Sequence, residues 1–96
     1  MKISDLKDNR RNINIQVKVI EKEEPRDVNT RYGKTKVANA KIEDDTGTFT
    51  LVLWGDQAEQ VLEGSIIKIE NGYVSFWNGE PQLNVGKFGK LTVVKE

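Results

Sequence analysis

Trp54, Tyr73 and Trp77 are the side chains of this sequence whose type and spacing suggest chemistry, and that chemistry is stacking, not bond making. Trp54 ends a run, Thr48 to Trp54, of β-branched, aliphatic and aromatic residues. The run alternates at period two, as a half-buried strand does. Phe49, Leu51 and Leu53 share one face, which is a core face, and Thr50, Val52 and Trp54 share the other. A large flat ring on the less apolar face is available to stack on another flat group. Tyr73 and Trp77 repeat the theme on a later strand. Four positions apart, they stand roughly 13 Å from each other at strand rise. Rings so spaced on an outward face can each take a base of an extended nucleic-acid strand.

The composition excludes most other chemistry. The 96 residues include no histidine and no cysteine. The commonest general acid/base, the commonest metal ligand, thiolate metal sites and disulfides are therefore missing from the inventory. No phosphate-binding loop is present, and no catalytic residue, metal ligand or cofactor site is predicted. Fifteen basic and fifteen acidic residues give a formal net charge of zero. Binding of nucleic acid by bulk charge alone is thereby disfavoured, though a local basic stripe is not. No apolar run approaches the ~20 residues of a membrane span, and no signal peptide opens the chain. A soluble intracellular protein with one hydrophobic core, and one domain over residues 1–96, is expected.

The elements that must position the rings follow from the pattern. Met1 to Arg11, with Ile3 and Leu6, reads as a strap over one end of the core, with Ser4 capping a short turn from Asp5. Asn12 to Glu21 is a strand with Ile13, Ile15, Val17 and Val19 inward. Lys22 to Lys34 reads as a loop broken by Pro25, carrying Arg26, Arg31, Tyr32 and Lys34. Lys36 to Glu43 is a strand with Ala38, Ala40 and Ile42 inward, and Val37, Asn39, Lys41 and Glu43 outward. Asp44-Asp45-Thr46-Gly47 is a turn. After Gly55 the period changes: Ala58, Val61 and Leu62 share one face of a short helix that ends before Gly64. Ser65 to Trp77 is a strand whose inward face switches phase near Asn71-Gly72, which predicts a β-bulge. Phe49 and Phe76 are core by parity, while Tyr32 and Phe88 are undecided. Asn78-Gly79 is a hairpin turn. A fifth strand begins irregularly at Pro81, is interrupted over 87–90, and closes with Leu91 to Val94.

Three strands, a short helix and two more strands predict an all-β protein: a five-stranded OB-fold Greek-key barrel with one short helix between strands 3 and 4. That architecture presents its second and third strands and its long loops to oligonucleotides or oligosaccharides. Here those elements carry Asn39, Lys41, Thr50, Val52, Trp54, the Arg26–Lys34 loop and the stretch from Tyr73 to Gln82. Arg26 and Lys41 stand out as phosphate contacts among the further candidates Arg31, Lys34, Lys36 and Lys87.

Several segments resemble the archaeal single-stranded DNA-binding proteins with one OB-fold, and the OB modules of archaeal replication protein A. They are Asp44-Asp45-Thr46-Gly47, Leu51-Val52-Leu53-Trp54-Gly55, Ile69-Glu70-Asn71-Gly72-Tyr73 and Gln82-Leu83-Asn84-Val85-Gly86, with Lys2–Leu6 and the first strand also fitting. The resemblance implies base stacking at Trp54, Tyr73 and Trp77, and a backbone contact at Arg26. It carries no stacking role to Asn84. It implies single-stranded DNA as partner, in replication, recombination or repair, with other OB domains or replication and repair proteins as further partners. A monomeric isolated domain in the nucleoid-associated cytoplasm is expected. Single-domain relatives often continue into a flexible tail; with Glu96 just past the barrel, a trimmed module, a piece of a larger protein or a tailless form is expected. Two other readings remain open from the residues: an OB module for protein–protein contact within a replication protein A assembly, and an RNA-binding module.

Overall fold

A computed structural model describes residues 1–86 and 89–95. A 3-10 turn, Ile3–Asp5, precedes β1 (Ile13–Lys22), β2 (Arg26–Thr30), β3 (Gly33–Asp44) and β4 (Gly47–Trp54). Helix α1 (Asp56–Gln60) leads to β5 (Ile66–Trp77), β6 (Glu80–Asn84) and β7 (Lys90–Lys95). The sheet runs β1-β3-β4-β6-β5-β7, and a further β1–β5 pairing closes it into a barrel. β6 pairs with the second half of β5 and β7 with the first half, so the two are one barrel strand broken in the middle. β1, β3, β4, β5 and this broken strand make the five-stranded closed barrel that the pattern predicts. The only parallel pairing among the described strands is β4 with β6, which joins the two ends of the Greek key.

The alternating residues fill the barrel as expected. Ile13 and Val19 of β1, Ala38 and Ile42 of β3, Leu51 and Leu53 of β4, and Ile67 and Ile69 of β5 are all buried. Each large aliphatic side chain so buried stabilises the fold by roughly 1.5–3 kcal/mol. Ile3 and Leu6 of the strap are buried too. The strap is held by the β3–β4 turn. The Asp44 carboxylate accepts from the Ile3 N–H at 2.8 Å and from the Thr46 N–H at 2.7 Å, and Lys2 Nζ pairs with Asp45 at 2.7 Å. Ser4 is not a cap: Lys2 occupies the cap position, and the Ser4 N–H donates to Thr46 Oγ1.

The phase switch in β5 is a bulge. Ile13 faces Gly72 while Ile15 faces Ile69, so β5 carries one residue more than β1. Asn71 takes the left-handed conformation there, with φ of 54°. Gly72 is required for a different reason. A Cβ at that position would lie 3.0 Å from Ile69 Cγ2 and 3.1 Å from the Asn84 carbonyl oxygen. The tip of the β5–β6 hairpin places Asn78 and Gly79 at φ of 50° and 80°, the pair of positive angles that a tight two-residue hairpin needs.

Three further sequence expectations are corrected. Residues 22–34 are not an open loop: β2 pairs with β3 from Arg26↔Val37 to Thr30↔Gly33, making a ribbon that stands off the barrel. Phe76 is not core; it is exposed, with the Arg10 guanidinium 4.9 Å from its ring centroid. Its parity matches buried Val74, but the strand has run past the end of the barrel there. Leu62 is exposed, because α1 stops at Gln60 and only Ala58 and Val61 reach the core. Val37 and Val52 point outward as expected, yet are buried. Lys87 and Phe88 lie outside the described residues. Among the described residues no helix is long and apolar enough to cross a membrane.

Candidate nucleic-acid interface

Strand register builds the site. Asn39 of β3 faces Val52 of β4, Val52 faces Asn84 of β6, and Asn84 faces Tyr73 of β5. These four residues form one line across four strands on the outer face of the barrel. At the usual strand separation of about 4.8 Å the line spans roughly 14 Å. Trp54 lies two residues to one side of it on β4, opposite Val37. Trp77 lies four residues to the other side on β5, opposite Glu80. The three rings therefore run obliquely across the face from β4 to the β5–β6 tip. Trp54 and Tyr73 are 43% and 42% exposed, and Trp77 is 65% exposed.

Two outward side chains between the rings are shielded from water. Val52 and Asn84 are each only 6% exposed although both point outward. Parity decides which face a side chain occupies, but the height of its neighbours decides whether water reaches it. Asn84 is locked in place: its Nδ2 donates to Ser75 Oγ at 2.8 Å and to the Gln82 carbonyl at 3.2 Å. A buried amide held this way is a rigid group and leaves no flat ring to stack on.

Trp54 and Tyr73 line a common cleft with Asp56, Gln57, Val85 and Gly86. The Tyr73 ring lies against Gly86, where an added Cβ would come 2.8 Å from Tyr73 Cε1. Trp54 also lines a second cleft with the tip of the β2–β3 ribbon, including Arg31, Tyr32 and Lys34. That tip is a two-residue turn tied by the Thr30 hydroxyl, which donates to the Gly33 carbonyl at 2.9 Å. Tyr32, undecided from the sequence, is 92% exposed there.

The cations are dispersed. Arg26, at the base of the ribbon, lies 3.6 Å from Glu23. Lys36 pairs with Glu59; the hydrogen bond and charge of that carboxylate raise the Lys36 pKa, and Lys36 in turn lowers that of Glu59. Asn39 and Lys41 line a third cleft together with Glu21, Glu23 and Glu63. Arg31 is thus brought beside Trp54, whereas Arg26, Asn39 and Lys41 are not grouped with the rings in one cleft. Sequence reasoning missed Asp56, Gln57 and Gly86 as cleft residues. Periodicity carried no signal for them, since they converge from a helix and a strand end.

Residues 6–93 match the family described as single-stranded DNA binding protein Ssb-like, OB fold. The chain is 36% identical over 95 residues to the single-stranded DNA binding protein Ssb of Saccharolobus solfataricus, covering 99% of this chain and 64% of that protein. It is also 36% identical over 101 residues to replication factor A of Methanothermobacter thermautotrophicus, covering 99% of this chain and 13% of that one. It thus spans less than two thirds of the first of these relatives and a small part of the second. Among solved structures, a murine DNA binding protein bound with double-stranded DNA superposes with a TM-score of 0.77 at 25% identity, covering 100% of this chain and 47% of that one. With nearly the whole chain matched, this protein belongs to the Ssb-like family of OB-fold single-stranded DNA binding proteins.

Proposed function

We propose that this chain binds single-stranded DNA with little sequence preference, by stacking bases on Trp54, Tyr73 and Trp77. The observation that carries the reading is the oblique row of three exposed rings about the outward-facing but buried Val52 and Asn84. Every base has a π-face, so stacking tolerates any sequence, and each stacked base is worth about 1–3 kcal/mol by truncation. Arg31 at the ribbon tip, and Arg26, Lys41 and Asn39 along the edge of the face, hold the backbone. The relatives named single-stranded DNA binding protein Ssb and replication factor A support this reading; the setting proposed with it is replication, recombination or repair, with other OB modules as neighbours.

Tryptophan fluorescence tests it, because both tryptophans of the chain belong to the row. Titration with oligo-dT is expected to quench the emission saturably, and the quench should persist at high salt. Trp54→Ala and Trp77→Ala should each weaken binding. The murine neighbour is bound with double-stranded DNA, so the same titration is run with duplex of equal length. Duplex bases are not available to stack, and weaker duplex binding is expected. Equal affinity for duplex and single strand, or no quenching by a folded protein, would refute the stacking reading.

A further inference from the structure

The cleft shared by Trp54 and Tyr73 holds more than two rings. It encloses about 480 Å³ and is also lined by Asp56, Gln57, Val85 and Gly86. One carboxylate and one amide therefore stand beside the slot that a stacked base would enter. Asp56 belongs to none of the ion pairs among the described residues. Gln57 is half-buried.

A carboxylate here is at odds with a site built for phosphate. An unpaired negative charge repels the backbone, so a nucleotide enters this cleft base first. The carboxylate then sorts the bases by their hydrogen-bonding edges, because an ionised carboxylate only accepts. Guanine offers two adjacent donors, the ring N1–H and the exocyclic N2 amine, which match the two oxygens of a carboxylate in a charge-assisted pair. Its O6 can accept from the amide nitrogen of Gln57. Cytosine and adenine each offer one exocyclic amine beside a ring nitrogen that repels the second oxygen. Thymine offers a single N3–H flanked by two carbonyl oxygens, both repelled.

We propose that Asp56 and Gln57 make the Trp54–Tyr73 cleft a guanine-preferring slot within an otherwise sequence-tolerant interface. The inference rests on the stacking reading above and adds a base preference at one position of the bound strand. A good bidentate pair discriminates by about 5- to 150-fold, and a partly solvated cleft belongs toward the lower end.

The test is a titration with thymidine nonamers, unsubstituted or carrying one dG at each position in turn, and a matched set with inosine, which lacks the N2 amine. With the wild-type protein, one dG is expected to tighten binding at least fivefold over all-dT, and inosine to recover only part of that gain. Asp56→Asn removes the charge and supplies a donor. It is expected to abolish the dG advantage while all-dT binding remains saturable, a result that loss of folding would not give. Gln57→Ala should narrow the gap between dG and all-dT. Saturable wild-type binding that is indifferent to dG, or an Asp56→Asn variant that keeps the dG advantage, overturns the inference and leaves the stacking reading standing. Absence of saturable binding to every oligomer overturns the stacking reading, and the guanine slot falls with it.

Discussion

Gly86→Ala separates the shape of the interface from the stability of the barrel. Gly86 does not use a left-handed backbone, so alanine is tolerated by the main chain. Such a change usually stabilises by about 0.4–1 kcal/mol through the unfolded state. The new methyl, however, would lie 2.8 Å from Tyr73 Cε1 and 3.3 Å from Cδ1. Ordinary carbon contacts are about 3.5–4.0 Å, so the ring must swing outward by roughly 1 Å. Tyr73 is 42% exposed and has room to do so, which keeps the folding penalty small. Net stability should stay within about 1 kcal/mol of wild type, read as the urea midpoint at unchanged slope. Binding should suffer more, because a displaced ring no longer presents its face across the cleft from Trp54. Complete loss of one stack is worth about 1–3 kcal/mol, or about 5- to 150-fold in Kd. A tilted ring should lose part of that, about three- to tenfold. The assay is an oligo-dT titration of wild type, Gly86→Ala and Tyr73→Ala, alongside urea unfolding of each. If Tyr73→Ala weakens binding and Gly86→Ala binds as wild type, the glycine does not position the ring and the reasoning fails.

Two further outcomes follow from the same geometry. Burial pushes the Asp44 carboxyl up, but hydrogen bonds from the Thr46 hydroxyl and the Ile3, Thr46 and Gly47 N–H groups outweigh it and hold the pKa below the ordinary 3.8. A depressed carboxyl contributes stability above its unfolded value and loses it as pH falls through the folded one. Asp44→Asn turns hydrogen bonds to a charged acceptor into weaker neutral ones and should be about 1–2 kcal/mol less stable at pH 7, with the gap closing below pH 3.8; parallel pH profiles in urea melts would contradict this. The dependence of log K on log salt should be shallow. Lys36 already faces Glu59, and two to four phosphate contacts, Arg26, Arg31 and Lys41 among them, give a slope of roughly −1.4 to −2.8 for a single strand. A slope near −7 would mean that charge and not stacking carries the affinity.

The barrel was legible because its inward residues alternate without ambiguity. The row Ile13, Ile15, Val17, Val19 and the pair Leu51, Leu53 are all buried, and the phase change after Ile69 announced the bulge. β2 was not legible. Its five residues are exposed except for half-buried Val28, so there is no core face to leave a period in the sequence. Phe76 shows a different limit. Alternation assigns a face but not the point along a strand where the core ends, and β5 outruns the core before Phe76. The outward burial of Val52 was not legible, because its cross-strand neighbours Asn39 and Asn84 come from β3 and β6. The outward exposure of the three rings was legible because each sits on a strand with its own clear parity. Gly86, Asp56 and Gln57 were not, because a cleft is a meeting of elements and no single element records it.

The charge distribution then follows from the division of labour among the elements. Acidic residues do structural work where the chain turns: Asp44 ties the strap to the β3–β4 turn, and Asp45 pairs with Lys2. Glu23 and Glu59 face two of the cations that would otherwise enrich the binding side. What remains on that side is a buried valine and a locked amide, with rings about them. Such a surface gains little from phosphates and much from planar groups free to leave their own stack. A duplex keeps its bases stacked on each other and offers mainly phosphates, the contact this face is least equipped to make. A single strand offers planar groups at every step. On the proposed stacking reading, selectivity for single strands requires no element that rejects duplex; it would follow from rings standing where a basic protein would place lysines.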